Sequence, residues 1–275
     1  MSEKMETRRE GSKRPVSGRS RKLVITIDRF VLWLSRHWLA VFNIAAAIYV
    51  GLPMLAPVLM NAGATGPARA IYVAYSPMCH QMAFRSFFLF GDQAAYPREL
   101  AGTSLTPFEA YTPDLPEFQG IPPTDSGRFF NAARVFLGNE AMGYKMALCE
   151  RDIGIYLFVL IGGLIFAVLR PRYNIKPLPI LAFLIIGMGP IGLDGFSQLF
   201  GYMFQGSQTA ITDFLANVFA VRESPPLLRT LTGAWFGLTL VWLAYPHVNA
   251  GMKDTELELS EKLMRAGVIK VNSEQ

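Results

Sequence analysis

Side chains able to do chemistry are scarce in this chain, with two cysteines and three histidines among 275 residues. The cysteines do not form a C-x-x-C pair, which makes a bundle-type thiol oxidoreductase the weakest reading of them. No P-loop, G-x-S-x-G, H-E-x-x-H or dinucleotide-binding glycine fingerprint stands at a credible position. No internal repeat is visible, so a transporter of few spans would have to oligomerise. Charged residues make up only 17% of the chain against 51% hydrophobic, too apolar for an ordinary soluble domain.

Apolar length is what the sequence has in quantity. About 20 apolar residues cross roughly 30 Å of hydrocarbon as a helix. Residues 38–60, 153–169, 178–203 and 227–245 meet or approach that length, the last carrying Arg229 near its start. They predict an all-α integral membrane helical bundle of about four transmembrane helices, with an extracytoplasmic irregular and helical insertion. Residues 1–22 hold eight Lys or Arg against three Glu, and 170–177 hold three cations and no acid. The positive-inside rule then places both termini in the cytoplasm of a multi-pass cell-membrane protein and residues 62–151 outside. Anionic lipid is the natural partner of the basic tail, beside the bilayer itself. Nothing aromatic or Gly-rich accompanies that tail, so no nucleic acid is expected. The parts are a basic cytoplasmic tail with an interfacial helix (1–36), a membrane domain (37–246) and a cytoplasmic tail (247–275). Ala68-Arg69-Ala70 resembles a cleavage site, but the preceding apolar run exceeds the roughly 7–15 residues of a signal peptide, so a retained anchor is expected.

Pro53 and Pro57 should bend the first span or end it early. In the outer segment, residues 70–90 suggest a helix on or in the membrane, 91–127 an irregular proline-rich loop, and 127–148 a return to helix. That insertion looks too small and proline-rich for a large core. Glycines and Pro190 invite a kink in the third span. Residues 207–221 should lie along the outer interface, and 254–265 should form a short soluble helix.

The polar residues are clustered. Asp194 and Gln198 are four apart and share a helix face, with Asp194 about 24 Å along its span at 1.5 Å per residue. An intramembrane carboxylate is a functional candidate by default, and Arg229 enters from the same side to pair with it. Cys79-His80-Gln81 and Cys149-Glu150-Arg151-Asp152 flank the spans on the outer side. Outside the cell, two cysteines most simply form a disulfide, and Cys79–Cys149 would close about 70 residues, worth roughly 4 kcal/mol. A metal site is the second reading. Cys79, His80 and Cys149 are soft ligands for zinc or another soft divalent ion, and Asp152 or Asp194 would complete the set. His37 and His247 fall on the cytoplasmic side. Arg85, Arg151 and Arg229, with Gln81, Gln198 and Tyr156, suit an anionic headgroup, or else they pair with Glu150, Asp152, Asp194 and Glu223.

The order of these strings resembles the DUF2085 membrane-protein family. The motifs are Cys79-His80-Gln81 with Arg85-Ser86-Phe87; Cys149-Glu150-Arg151-Asp152 with Gly154-Ile155-Tyr156; Gly189-Pro190, Leu193-Asp194-Gly195 and Gln198-Leu199; and Glu223-Ser224, Leu228-Arg229-Thr230 and Thr232-Gly233. The resemblance spans about 76–245 and implies a polytopic membrane protein without an assigned activity. In some relatives a second cysteine stands where this chain has Asp152, a departure that weakens a cysteine-rich site here. The expected binding set is Cys79, His80, Gln81, Arg85, Cys149, Arg151, Asp152, Asp194, Gln198 and Arg229, with no residue assigned to catalysis. An enzyme or binding protein and a disulfide-stapled structural protein both stay open.

Overall fold

The computed structural model describes residues 18–204, 214 and 220–269. Most of the basic tail and of the 207–221 segment lie outside the described residues. The elements are α1 (Gly18–Asn61), α2 (Thr65–Tyr75), β1 (Ser86–Leu89), α3 (Ser126–Val135), β2 (Gly138–Asn139), β3 (Gly143–Cys149), α4 (Glu150–Leu169), α5 (Ile180–Met203) and α6 (Pro226–Arg265). Helices α1, α4, α5 and α6 are each long and apolar enough to cross a membrane. The fold is the helical membrane protein that hydropathy predicts.

Contacts divide the chain into two units, Leu39–Val248 and the residues through Trp38 together with those from Asn249. In the smaller unit, Arg36 pairs with Glu256 at 2.9 Å and Lys262 with Asp28 at 2.7 Å. The predicted interfacial helix runs on into the first span as the N-terminal part of α1, and the predicted C-terminal helix is the last part of α6 and not a separate element.

In the larger unit, prolines inside the spans do not end them. A proline cannot donate to the carbonyl four residues before it, and in hydrocarbon that carbonyl needs another partner. Pro53 frees the Tyr49 carbonyl, which accepts the Tyr75 hydroxyl at 2.8 Å. Pro190 frees the Ile186 carbonyl, which accepts the Trp235 indole N–H. Pro246 frees the Trp242 carbonyl, which accepts the Leu178 amide at 3.3 Å. Just before Pro190, α5 widens into a π turn over Phe183–Met188, the irregularity that the glycines and proline foreshadow. Helices α4 and α6 touch backbone to backbone: a side chain at Gly233 would meet the Arg151 carbonyl, and one at Gly237 the Ile155 carbonyl.

The insertion departs from expectation in two ways. Residues 143–149 form a strand, not a helix, at the centre of a three-stranded antiparallel sheet ordered β1-β3-β2. Gly143 makes the tight entry to β3, with φ +72° and the Leu89 carbonyl where a Cβ would stand. The insertion also has a real core, in which Phe84, Phe88, Tyr96, Phe108, Phe118, Phe129 and Phe136 are buried together. Its prolines build that core: Pro113 and Pro116 open short 3-10 turns, and the second of these buries Phe118. Burying a phenylalanine is worth roughly 1.5–3 kcal/mol, which anchors a segment otherwise poor in regular structure. Strand β1 pairs Ser86 with Cys149, so the sheet draws the two cysteine strings together.

Candidate functional site

The first string is a turn between α2 and β1. Gln81 takes a left-handed conformation, φ +52°, uncommon for a residue with a side chain. Three interactions hold it. Its amide donates to Cys79 Sγ at 3.4 Å, its side-chain Nε2 to the Tyr72 carbonyl at 2.9 Å, and its own carbonyl accepts Lys145 Nζ. Lys145, on β3, has no exposed surface. Its ammonium also donates to the carbonyls of Ala133 (3.3 Å) and Arg134 (2.8 Å), so all three protons have acceptors but no carboxylate is among them. Burial pulls its pKa down to about 7.

The second string starts α4, with Cys149 at the N-cap. The Cys149 amide donates to Cys79 Sγ at 3.2 Å, and the Cys149 thiol lies 3.1 Å from Asp152 Oδ2. Both cysteines are free thiols in this structure. A hydrogen bond from the Cys149 side chain holds the Cys79 thiol below its ordinary value, against the opposing pull of burial. The same contact, reinforced by burial, pushes the Cys149 thiol well up. Ligand atoms of Cys79, Cys149 and Asp152 all lie within 4.8 Å of one another.

These groups form one wall of a cavity of about 320 Å³. Nine of the ten residues expected to bind line it: Cys79, His80, Gln81, Arg85, Cys149, Arg151, Asp152, Gln198 and Arg229, with Met78 and Met82. Asp194 is buried behind it. His80 is exposed on the cavity and is not one of the three clustered ligands; Asp152 takes the third position instead.

Behind the cavity runs a charge network. Asp194 and Gln198 do share a face, Gln198 Nε2 lying 2.9 Å from the Asp194 carbonyl and 3.3 Å from its carboxylate. The expected Asp194–Arg229 pair is not formed. Asp194 binds Arg151, Arg222 (2.7 Å) and the Ser224 hydroxyl. Arg229 binds Glu223 and donates to Gln198 Oε1 at 2.8 Å. The reason is that residues 222–224, just ahead of α6, pack over Asp194 and displace Arg229 toward Glu223. Arg85 (2.6 Å) and the Tyr202 hydroxyl (2.8 Å) also reach Glu223. Burial pushes the Glu223 carboxyl up, but Arg85 and Arg229 outweigh it and hold the group below the usual carboxylate value. Glu150 is buried with neither oxygen hydrogen-bonded among the described residues, and Arg229 stands 3.8 Å away.

Lys145, Arg222 and Ser224 were not in the expected set. Lys145 carried one signal, a lone charge in the apolar run 141–149. Arg222 had only its place beside Glu223-Ser224.

Comparison with known proteins agrees with the membrane reading. The DUF2085 family, described as predicted membrane protein, matches residues 140–243. That stretch takes in Lys145, the second cysteine string, Asp194 and Arg222–Arg229, and leaves Cys79–Arg85 outside. An uncharacterized protein of Methanocaldococcus jannaschii is 27% identical over 176 residues, 64% of this chain and 67% of its own length. No solved structure matches significantly.

Proposed function

We propose that this membrane protein binds a soft divalent metal ion, zinc foremost, through Cys79, Cys149 and Asp152 at the outer face of the cytoplasmic membrane. The observation that carries the reading is the approach of those three ligand atoms to within 4.8 Å on a cavity wall. Thiolate and carboxylate suit zinc, and three protein ligands beside an open volume resemble sites that keep a coordination position for a further group. His80, on the same cavity, is the remaining soft ligand of this face. The basic stretch ahead of α1 and the cations of 170–177 support a cytoplasmic placement for both termini, with anionic lipid near Arg19, Arg21 and Lys22.

Full-length protein purified under reducing conditions should carry one metal ion per chain by inductively coupled plasma mass spectrometry. Cys79→Ser, Cys149→Ser and Asp152→Ala should each lower that content at least tenfold. Metal-free protein with two titratable thiols would sink the reading. A second reading, the Cys79–Cys149 disulfide, draws on the 3.2 Å contact of the Cys149 amide with Cys79 Sγ. It would show as thiols that titrate only after reduction.

A further inference from the structure

The arginines around the cavity are unequally used. Arg229 reaches Glu223, Gln198 and Glu150; Arg222 reaches Asp194, Ser197 and Ser224; Arg98 reaches Glu109, Tyr202 and the Pro123 carbonyl. Arg85 and Arg151 each make a single hydrogen bond among the described residues, to Glu223 and to Asp194. The Nε of each is buried without a partner among the described residues, a state that is costly unless something fills it. These two arginines, with Gln198, line both the cysteine-walled cavity and an adjoining chamber of about 230 Å³. At ~30 Å³ per water in the liquid, that chamber has room for several water-sized groups.

We infer that the chamber between Arg85 and Arg151 seats a phosphate group. Two forked guanidinium groups with spare donors match an oxyanion that offers an oxygen to each. The position fits a lipid phosphate in particular. Arg151 is the second residue of α4, so the chamber lies at the end of a hydrophobic span, where headgroups meet hydrocarbon. Leu199 lines the chamber and is also exposed, in line with Leu193, Phe196 and Met203 on α5. Acyl chains along that apolar face would place their phosphate at the chamber mouth. The inference stands independently of the metal.

The test uses full-length protein in a neutral, phosphate-free detergent, probed by native mass spectrometry and calorimetry. Phosphatidylglycerol should be held one per chain, and a phosphate-free glycolipid of the same acyl chains at least tenfold more weakly. Arg85→Gln and Arg151→Gln should each weaken binding at least tenfold. Those changes also break ion pairs, so Leu199→Trp provides a second arm: it obstructs the chamber, leaves both arginines' bonds intact, and should cut binding without lowering the melting temperature. If inorganic phosphate binds with the same arginine dependence and lipid is not held, the seat stands and its ligand is a free phosphate. Equal binding of glycolipid and phosphatidylglycerol, or folded arginine variants that bind both probes like the parent, would overturn it. Metal content in the same samples separates the two readings, because the arginine variants should keep the metal and Cys79→Ser should keep the phosphate.

Discussion

A lysine with no exposed surface and no carboxylate partner must be held by dipoles or lose its proton. Lys145 is held by three carbonyls, and burial still draws its pKa from 10.5 to about 7. The sign of the resulting pH dependence follows. Between pH 7 and the unfolded value, the unfolded chain binds the proton and the folded chain has released it, so stability rises with pH in that window. Below pH 7 both states are protonated and the slope from this residue vanishes. The parent should therefore gain up to about 1.4 kcal/mol per pH unit from Lys145 between pH 7 and 9, and Lys145→Met should lose that part of the slope. Denaturant titrations in micelles at pH 6, 7, 8 and 9 measure it, and parallel curves for the two proteins would refute it. The Asp194 partners give a second residue-scale prediction. A double-mutant cycle of Asp194→Asn with Arg151→Gln should show a coupling of about 1–3 kcal/mol, and one with Arg229→Gln less than half of that. Equal couplings would restore the direct Asp194–Arg229 pairing.

At the scale of elements, hydrophobic length carried most of the information and periodicity the rest. The four spans were legible because hydrocarbon demands unbroken apolar helices, and this demand is local to each segment. The strand 143–149 was not legible. Its burial pattern is nearly continuous, and its identity depends on pairing Ser86–Leu89, some sixty residues upstream, which no local period reports. The core of the insertion was hidden for a related reason, since prolines that look like breakers act as turn starters once phenylalanines pack beneath them. Prolines within the spans were readable only as warnings, because their rescue comes from other helices. That rescue is testable. Trp235→Phe should leave the Ile186 carbonyl without a partner and cost about 1–3 kcal/mol. In the Trp235→Phe background, Pro190→Ala returns an N–H to α5 and should recover most of the loss. Thermal unfolding in detergent reads both steps, and additive effects would show that the indole does not serve the carbonyl that Pro190 frees.

For the molecule as a whole, polar residues in so apolar a chain are costly to bury singly, which is why scattered strings from 79 to 229 converge on one cavity. That convergence was readable from depth and charge; which acid meets which arginine was not, because residues 222–224 intervene between α5 and α6. The proposed orientation puts the cations of 170–177 and the basic N-terminal stretch in the cytoplasm, and so predicts that the loop containing Gln119 is outside. Both Gln119 and Tyr173 are exposed, one in the insertion and one in the link between α4 and α5. In a Cys79→Ser/Cys149→Ser background, Gln119→Cys should react with a membrane-impermeant maleimide in intact cells. Tyr173→Cys should react only after permeabilisation. The reverse pattern would turn the cavity toward the cytoplasm. Reducing conditions there would remove the disulfide reading, since such bonds do not persist in that compartment, and leave metal binding by free thiols as the one use of the cysteine pair. The labelling result therefore decides the orientation, and an inward-facing cavity would exclude the disulfide as well.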